Sequence, residues 1–249
     1  MTNTTSAEPP LLTASLALFL DFDGTLAPLA PRPQDVLVPA WVLPVLAAQS
    51  QRLQGALAII SGRPIAQIDA FLDPLRLPAA GAHGAEWRDA SGRVEQRHDE
   101  PPAAVLDCAR ALVVAHAGLI LEPKASGLSL HFRARPELEA LCRDALTTAL
   151  AAVPGADATW EWLRGHLVFE LKQRAVSKGL AVQALLARPP FAGRAPVFVG
   201  DDMTDEDGIR AAQAAGGFGV RVGPGRSAAR YRLADTDAVG AWLTRNPIA

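Results

Sequence analysis

The residues best suited to chemistry are two clusters of aspartates, each placed directly after a short apolar run. The first is residues 21–25 (Asp-Phe-Asp-Gly-Thr), and the second is residues 200–206 (Gly-Asp-Asp-Met-Thr-Asp-Glu). Carboxylates drawn together from two segments repel one another unless a cation lies among them. Hard oxygen ligands of this kind suit Mg²⁺, which binds one or two carboxylates together with water and phosphate oxygens. The two clusters therefore predict a magnesium site that acts on a phosphate group.

A structural interpretation remains open for part of both clusters. Residues 21–25 also fit an acidic turn in which Gly24 supplies a positive φ. Asp202 and Asp205 are suited to capping the N-terminus of a following helix, where side-chain oxygens accept backbone hydrogen bonds. Helix capping is a poor explanation for an aspartate at position 201.

Two further positions offer what a bound phosphate needs. Ser61, followed by Gly62, ends a second apolar run where a helix begins, so its hydroxyl and the nearby backbone N–H groups can hold phosphate oxygens. Lys178 stands at another predicted helix start and can neutralise both the phosphate and the carboxylates. Each signal is weak alone, because Ser-Gly also forms turns and lysine is usually a solvated surface residue.

The elements that must position these residues form an alternating α/β pattern. Apolar strands are predicted at residues 16–20, 56–60, 196–200 and 219–222, and helices at residues 39–54, 65–72, 177–186 and 206–214. This alternation is typical of a doubly wound, mostly parallel, Rossmann-like sheet with helices on both faces. Ligands of such sheets bind beyond the carboxyl ends of the strands, where both aspartate clusters fall. We predict that residues 16–100 and 174–249 form this core.

The middle of the chain, residues 101–173, has a different pattern. Helices are predicted at residues 103–116 and 136–152, and strands at residues 119–122, 128–132, 159–163 and 167–171. Two helices with four strands predict an inserted α+β cap domain, with an antiparallel sheet covered on one face. Residues 1–15 are expected to be disordered.

The composition argues against several other classes of protein. The chain has 249 residues, of which 49% are apolar and 20% charged, and a formal net charge of −2, so it has no basic footprint for nucleic acid or membrane. The apolar run Leu11–Leu20 is followed by aspartates rather than by the small residues of a signal-peptide cleavage site. Two isolated cysteines, Cys108 and Cys142, favour a reduced, cytoplasmic setting. We expect a monomer that acts on a small-molecule substrate, with no nucleic-acid or membrane partner.

In their order along the chain, the motifs at residues 21–25, 61–62, 178 and 200–206 resemble the haloacid dehalogenase-like superfamily of phosphotransferases. The resemblance implies that Asp21 is a nucleophile that forms an aspartyl-phosphate, and that Asp23 is the general acid and base. It implies that Ser61 and Lys178 hold the transferring phosphoryl group. The implied cofactor is Mg²⁺, and its implied ligands are Asp21, the backbone carbonyl of Asp23 and Asp201, with Asp202 or Asp205 in the outer shell.

Charged residues of the predicted cap strands bear on the choice of substrate. Glu122 and Lys124 lie two residues apart, as do Glu170 and Lys172, so each pair faces one side of its strand. Carboxylates and ammonium groups, which accept and donate several hydrogen bonds, suit sugar hydroxyls. Cross-strand ion pairs on an open sheet face are the alternative, and the sequence leaves both open.

A closer resemblance covers nearly the full length of the chain. Together with residues 200–206, the segments 81–86 (Gly-Ala-His-Gly-Ala-Glu), 122–124 (Glu-Pro-Lys) and 129–133 (Ser-Leu-His-Phe-Arg) are similar to the trehalose-6-phosphate phosphatase family. This implies hydrolysis of trehalose 6-phosphate to trehalose and phosphate, a step of trehalose biosynthesis, with the cap closing over the core. The residues taken to bind substrate are Arg63, His83, Glu122, Lys124, Arg133 and Glu170.

Several alternatives to this assignment stay open. Arg63 also fits a surface ion-pair partner, and His83 a turn histidine with satisfied hydrogen bonds. Within enzymes, the rivals are a phosphatase for another sugar phosphate, such as a sucrose or mannosylglycerate ester, and a phosphomutase with the same core. A non-catalytic sugar-phosphate sensor is the rival from another class, although it would not need a nucleophile with an acid/base partner.

Overall fold

The computed structural model describes residues 8–30, 32–96, 99–124, 126–165 and 167–245. The chain divides into two compact units: a core unit formed by residues 1–96 and 177–249, and an inserted unit formed by residues 97–176. The predicted insertion, residues 101–173, starts four residues later and ends three residues earlier than this unit.

Strands and α-helices alternate over residues 16–81 and 178–222. The strands are β1 (Leu16–Leu20), β2 (Leu57–Ile60), β3 (Ala79–Gly81), β4 (Glu86–Arg88), β5 (Val94–Gln96), β6 (Ile120–Lys124), β7 (Gly127–His131), β8 (Trp160–Gly165), β9 (Val168–Gln173), β10 (Ala195–Gly200), β11 (Phe218–Val222) and β12 (Tyr231–Leu233). The α-helices are α1 (Val42–Arg52), α2 (Ile65–Leu72), α3 (Ala103–Ala115), α4 (Glu139–Ala151), α5 (Ala156–Thr159), α6 (Lys178–Leu186), α7 (Asp205–Ala214) and α8 (Thr236–Thr244). Short 3₁₀ turns cover Pro33–Asp35, Ala82–Gly84 and Pro136–Leu138. Within the described ranges, no helix has the length and apolar character needed to cross a membrane.

The core unit is built on one sheet in the order β12–β11–β10–β1–β2–β3–β4–β5. Neighbouring strands from β12 to β3 pair in parallel, whereas β3–β4 and β4–β5 are antiparallel. Strands of a parallel sheet are covered on both faces, and all residues of β1, β2 and β10 except the first of β1 and of β10 are buried. Because β2 and β10 lie on opposite sides of β1, a topological switch point forms at the carboxyl ends of β1 and β10, where ligands of such sheets bind. The predicted α/β fold class is confirmed.

Helix α1 is shorter than the predicted helix at residues 39–54. It begins at Val42, after Pro39, and ends at Arg52. Pro44 lies in its first turn, where the missing backbone N–H removes no intrahelical hydrogen bond. The helix therefore begins three residues later than predicted, and Pro44 does not interrupt it.

Part of the segment expected to be disordered makes contacts with the core unit. Leu12 is fully buried, and Trp242 of α8 donates a hydrogen bond from Nε1 to the carbonyl of Pro10 at 3.1 Å. Arg52 donates a further hydrogen bond to the carbonyl of Leu12. The prediction of disorder is therefore wrong for the part of this segment around Pro10 and Leu12. Its first seven residues, 1–7, lie outside the described residues.

The inserted unit contains an antiparallel sheet in the order β6–β7–β9–β8. Alternate strand residues, including Leu128, Leu130, Phe169 and Leu171, are buried in one apolar cluster with residues of α3 and α4. The intervening residues form the other face, which we call the polar face. On this face, residues of neighbouring strands lie opposite one another in rows that cross the sheet. One row contains Glu122, Ser129 and Glu170, and the next contains Lys124, Gly127 and Lys172.

Candidate active site

A buried lysine joins the first aspartate cluster to the second. Asp21 follows β1, and its backbone N–H donates to the carbonyl of Val199 in β10 at 2.9 Å. Lys178 Nζ lies 2.7 Å from Asp21 Oδ1 and 2.6 Å from Asp205 Oδ1. The side chains of Lys178, Asp21 and Asp205 are 3%, 5% and 0% exposed. Ser177 fixes the start of α6 by accepting a hydrogen bond from the backbone N–H of Leu180. The ammonium group is thereby held between a carboxylate that follows β1 and one at the start of α7.

The turn between β10 and α7 is organised by two aspartates. Asp205 Oδ2 accepts hydrogen bonds from the backbone N–H groups of Asp201 and Asp202, both at 3.0 Å. Asp202 Oδ1 accepts from the backbone N–H groups of Thr204 at 2.7 Å and Asp205 at 3.1 Å. Arg221 supports the same turn by donating to the carbonyl of Asp202 at 2.8 Å. Asp202 thus makes the capping contacts of the alternative interpretation, while Asp205 links the turn to Lys178.

The carboxylates at this edge of the sheet fit a divalent cation. One oxygen from each of Asp21, Asp201 and Asp205 lies within 4.8 Å of the other two. Gly24 allows Asp201 to approach, since its φ is +80° and a Cβ there would lie 2.1 Å from Asp201 Oδ2. Both oxygens of Asp205 already accept hydrogen bonds, so Asp205 suits the outer shell. Hard oxygen donors in this arrangement suit Mg²⁺.

The pKa values of the cluster also favour a cation among its carboxylates. Burial raises the pKa of Asp21 well above its usual value; Lys178 opposes this shift and Asp205 adds to it. Burial and the negative charges of Asp205 and Asp202 raise the pKa of Asp201 to about 6. Burial lowers the pKa of Lys178, but the charges of Asp21 and Asp205 raise it more, so the net shift is upward. Ionised carboxylates are therefore disfavoured here despite the buried lysine, and a cation among them would relieve that repulsion.

Asp202 differs from its neighbours in its ionisation. Burial raises its pKa, but the charge of Lys178 and the hydrogen bonds from Thr204 and Asp205 lower it more. The net pKa of Asp202 lies below its usual value, so this carboxylate stays ionised in its capping role.

The side chain of Asp23 is paired with Arg63, from the loop after β2. Arg63 Nε lies 2.6 Å from Asp23 Oδ2, and a terminal nitrogen lies 2.7 Å from Oδ1. The guanidinium carbon also lies 4.9 Å from the centroid of the Phe71 ring and 6.0 Å from that of Phe22. The sequence predicted Arg63 as a substrate contact, whereas in the structure its guanidinium forms an ion pair with Asp23, the predicted acid/base residue.

Ser61 lies at the end of β2, beside the turn that contains His83. The backbone N–H of Ser61 donates to the carbonyl of Ala80 at 2.8 Å, and its hydroxyl accepts from the backbone N–H of Arg63 at 3.1 Å. His83 donates its backbone N–H to the carbonyl of Ser61 at 2.9 Å. The structure therefore brings these two predicted site residues together within the core unit.

Three predicted sugar-binding residues lie on the polar face of the inserted unit. Lys124 Nζ lies 2.9 Å from Glu170 Oε1, and Glu122 Oε2 lies 2.9 Å from His131 Nε2. Glu122, Lys124 and Glu170 keep 55%, 34% and 30% of their side chains exposed. They therefore form the cross-strand pairs of the alternative interpretation and remain accessible to a ligand of this unit.

The sequence also singled out Lys172 and Arg133 among the charged residues of the inserted unit. Lys172, which the sequence pairs with Glu170 by spacing, lies 3.3 Å from Glu161. Arg133, another predicted substrate contact, is exposed in the turn that follows β7.

Sequence reasoning missed the role of Glu86. Its Oε2 accepts a hydrogen bond from the backbone N–H of Ile65, the first residue of α2, at 2.8 Å. Glu86 closes the Gly-Ala-His-Gly-Ala-Glu motif, but no periodic pattern signals a contact across 21 residues of sequence.

The fold is that of solved haloacid dehalogenase-like hydrolases. A haloacid dehalogenase-like hydrolase from B. subtilis has the same fold, with a TM-score of 0.62, 18% identity and coverage of 94% of this chain and 100% of that chain. A structure of Aspergillus fumigatus trehalose-6-phosphate phosphatase aligns with a TM-score of 0.70 and 25% identity, covering 96% of this chain and 98% of that chain.

The sequence comparisons are more specific. The family model for trehalose-phosphatases matches residues 19–237. Trehalose-6-phosphate phosphatase of Escherichia coli K12 is 39% identical over 239 residues, which cover 95% of this chain and 88% of that protein. The chain belongs to the trehalose-phosphatase family. The predicted family and the predicted enzyme class, phosphoric monoester hydrolase, are confirmed.

Proposed function

We propose that this protein is a Mg²⁺-dependent phosphatase that hydrolyses trehalose 6-phosphate to trehalose and orthophosphate through an aspartyl-phosphate. The observation that carries the proposal is the buried cluster in which Lys178 lies between Asp21 and Asp205, with Asp201 beside them. The substrate is supported by the name of the E. coli relative at 39% identity. We further propose that it works as a cytoplasmic monomer, which agrees with free thiols at Cys108 and Cys142.

In the first half of the reaction, a carboxylate oxygen of Asp21 attacks phosphorus and the bond from phosphorus to the sugar oxygen breaks. Asp23 gives a proton to that oxygen, so trehalose leaves as a neutral alcohol. A carboxylate approaches a phosphate dianion only where positive charge offsets the repulsion, and Lys178 lies 2.7 Å from Asp21. Lys178 and Ser61 hold the phosphoryl oxygens.

In the second half, Asp23 takes a proton from water, which attacks phosphorus of the aspartyl-phosphate. The bond from phosphorus to Asp21 breaks, which releases orthophosphate and restores the free carboxylate. Asp23 therefore acts first as an acid and then as a base, and each turnover returns it to its initial protonated state.

Asp21, the backbone carbonyl of Asp23 and Asp201 would hold the metal, with Asp205 and Asp202 in the outer shell. When bound, Mg²⁺ supplies positive charge that offsets the negative charge of the phosphate and the carboxylates. Lys178 alone cannot balance this cluster, because Asp21, Asp201 and Asp205 all retain raised pKa values beside it.

The polar face of the inserted unit is proposed to bind the glucose unit remote from the phosphate, through Glu122, Lys124 and Glu170. Gly127, in the strand between them, has no side chain, so Lys124 of β6 can reach across β7 to Glu170 of β9. Carboxylates and an ammonium in one patch match the mixed donors and acceptors of sugar hydroxyls. His83 and Arg133 stay predicted substrate contacts.

Phosphate release from a panel of sugar phosphates tests this function. With Mg²⁺, kcat/KM for trehalose 6-phosphate should exceed that for glucose 6-phosphate at least about tenfold, since glucose 6-phosphate has no second glucose unit to contact the polar face. EDTA should stop turnover and added Mg²⁺ should restore it. A clear preference for another ester, or full activity in excess chelator, would contradict the proposal.

Two rivals are separated in the same assay. A phosphomutase would depend on a bisphosphorylated sugar and would return the phosphoryl group to sugar rather than release it. A sugar-phosphate sensor would bind trehalose 6-phosphate without releasing orthophosphate.

A further inference from the structure

The segment of residues 81–86 is tied by two hydrogen bonds to the loop that carries Ser61, and by a third to the helix that follows this loop. His83 and Ala82 donate their backbone N–H groups to the carbonyls of Ser61 and Arg63, each at 2.9 Å. Glu86 Oε2 accepts from the backbone N–H of Ile65 at 2.8 Å. One short segment therefore fixes the loop at its start, in its middle and at the helix that follows it.

Glu86 supplies the cap that α2 lacks locally. The residue before the helix is Pro64, whose side chain has no acceptor, and no local side chain caps this end. The first N–H groups of a helix have no partner within it, and they carry partial positive charge that favours a carboxylate. Because only residues 61–64 separate β2 from Ile65, anchoring Ile65 to β4 also anchors the end of the Ser61 loop.

The backbone of the segment is strained where it meets the loop. Ala82 and His83 are consecutive non-glycine residues in the left-handed region, with φ values of 48° and 59°. Such conformations are costly for residues with a Cβ and persist where the surroundings fix them. Here both strained residues direct their N–H groups at carbonyls of the Ser61 loop.

The same segment contacts the start of the helix that carries Lys178. The imidazole of His83 lies against Gly62, where a Cβ would come within 2.7 Å of two ring atoms. Gly84 lies against the carbonyl of Ser177, where a Cβ would come within 2.9 Å. Ser177 caps α6, whose first residue is Lys178. The segment thus lies between the two elements that carry the proposed phosphate-binding groups.

We infer that Glu86 is a positioning residue for phosphate binding, which fixes the Ser61 loop so that the Ser61 hydroxyl and the Lys178 ammonium hold one phosphoryl group together. The inference rests on the proposed function, because it assigns Glu86 to the phosphate site of that reaction. Glu86 itself touches neither the substrate nor the reacting atoms; it acts through Ile65 and the loop that precedes it.

Substitutions at Glu86 test the inference on the whole 249-residue chain with Mg²⁺. Glu86→Ala removes the acceptor of the Ile65 N–H, whereas Glu86→Gln keeps an oxygen that accepts it. Asp235→Ala is the matched control, because Asp235 caps α8 of the same unit by accepting from the backbone N–H of Ala238 at 2.9 Å. It removes a helix cap from an element that carries none of the site residues.

Orthophosphate is the binding probe, and its affinity is measured by calorimetry without turnover. Glu86→Ala should weaken orthophosphate binding about tenfold and lower kcat/KM for p-nitrophenyl phosphate by a similar factor, as expected for a lost charged hydrogen bond. Glu86→Gln should recover both values to within about threefold, because the neutral bond retains part of the interaction. Asp235→Ala should melt at a lower temperature and keep both values of the parent.

The possible failures are distinguishable. A parent protein that binds orthophosphate but releases none from trehalose 6-phosphate would contradict the proposed function and leave the binding test intact. Orthophosphate binding by Glu86→Ala that matches the parent, or an equal loss in Asp235→Ala, would overturn the role of Glu86. If Glu86→Ala does not fold, Glu86→Asp provides the test, because it withdraws the carboxylate from Ile65 and should weaken orthophosphate binding in the same direction.

Discussion

Arg63 holds both carboxylate oxygens of Asp23, at 2.6 Å and 2.7 Å, and thereby joins the loop after β2 to the loop after β1. In this pairing each oxygen of Asp23 accepts a hydrogen bond from the guanidinium. Each carboxylate oxygen has a second lone pair, through which an acid/base residue can meet the sugar oxygen or a water molecule while the pair with Arg63 stays in place. Arg63 is accordingly expected to orient Asp23, a role distinct from the direct substrate contact predicted from the sequence.

Arg63→Lys tests that role, because lysine keeps the charge but loses the two-point geometry. General acid catalysis is worth about 10²–10⁴-fold, and a misoriented acid loses part of that. We expect kcat for trehalose 6-phosphate to fall at least about tenfold, since its alcohol leaving group needs a proton. Turnover of p-nitrophenyl phosphate, whose leaving group is stable as an anion, should change much less. An increase in KM for trehalose 6-phosphate with kcat unchanged would instead indicate that Arg63 only binds substrate.

Asp21→Asn tests the covalent step. The amide has the shape of the carboxylate but does not attack phosphorus, so turnover of every ester should fall to background. The fold should remain, and without metal the melting temperature should not decrease, because burial already disfavours the ionised form of Asp21. Beryllofluoride with Mg²⁺ should bind the parent as a mimic of the aspartyl-phosphate and should not bind the variant. Substantial turnover by folded Asp21→Asn would exclude the aspartyl-phosphate.

The core strands that the sequence predicted best are those with a continuous apolar run of five or six residues. The apolar run of β1 ended at Asp21, and that of β10 ended at the cluster of residues 200–206; Asp21 and Asp205 of these clusters both contact Lys178. The short strands β3, β4, β5 and β12 were not predicted, since three residues carry no detectable period. Those strands are set by pairing with their neighbours, which sequence windows do not contain.

The sequence predicted which residues belong to the site better than it predicted which of their side chains contact one another. Its place after a strand indicated Asp23, and the family resemblance indicated Arg63, but nothing in the sequence showed that the two side chains would pair. The contact of Glu86 with Ile65 depends on the β3–β4 hairpin, which the sequence did not reveal. Contacts that depend on strand register and on side-chain direction can be predicted only when the path of the backbone is known.

The pH dependence of stability provides a test of the carboxylate cluster without turnover. Burial and neighbouring negative charges raise the pKa of Asp201 to about 6, against about 3.9 in an unfolded chain. Protonated Asp201 therefore contributes stability below about pH 4, and this contribution is lost as the pH rises through about 6. After allowance for solvent screening of this half-buried group, the loss is about 1–2 kcal/mol, or about 2–8 °C in melting temperature.

The measurement is the difference between the parent and Asp201→Asn in metal-free buffer. The melting temperature of the parent should fall more steeply between pH 4 and pH 7, since the amide does not titrate. At pH 7.5, Mg²⁺ should raise the melting temperature of the parent and have a much smaller effect on Asp201→Asn. Parallel pH profiles for the two proteins, with equal responses to Mg²⁺, would contradict a cation site at Asp201.

Glu122→Ala and Glu170→Ala test the sugar-binding role of the polar face. A charged hydrogen bond is worth about 1.5–3 kcal/mol, so each change should lower kcat/KM for trehalose 6-phosphate roughly ten- to a hundredfold. Part of that loss should appear in kcat, because binding energy from remote parts of a substrate also stabilises the transition state. Turnover of p-nitrophenyl phosphate, which has no glucose unit, should stay close to that of the parent.

Glu161→Ala is the matched control for these two variants. Glu161 lies on the same sheet, is 27% exposed against 30% for Glu170, and pairs with Lys172 at 3.3 Å, but it is absent from the predicted sugar-binding set. Its loss removes the ion pair with Lys172 and a second one with Arg174 at 3.0 Å, and it should leave both substrates unaffected, since exposed pairs contribute about 0–1 kcal/mol each. Equal losses on both substrates in Glu122→Ala would show that the residue is structural. If neither substrate is affected by Glu122→Ala or Glu170→Ala, their contacts are ion pairs alone, and sugar selection must reside in other residues.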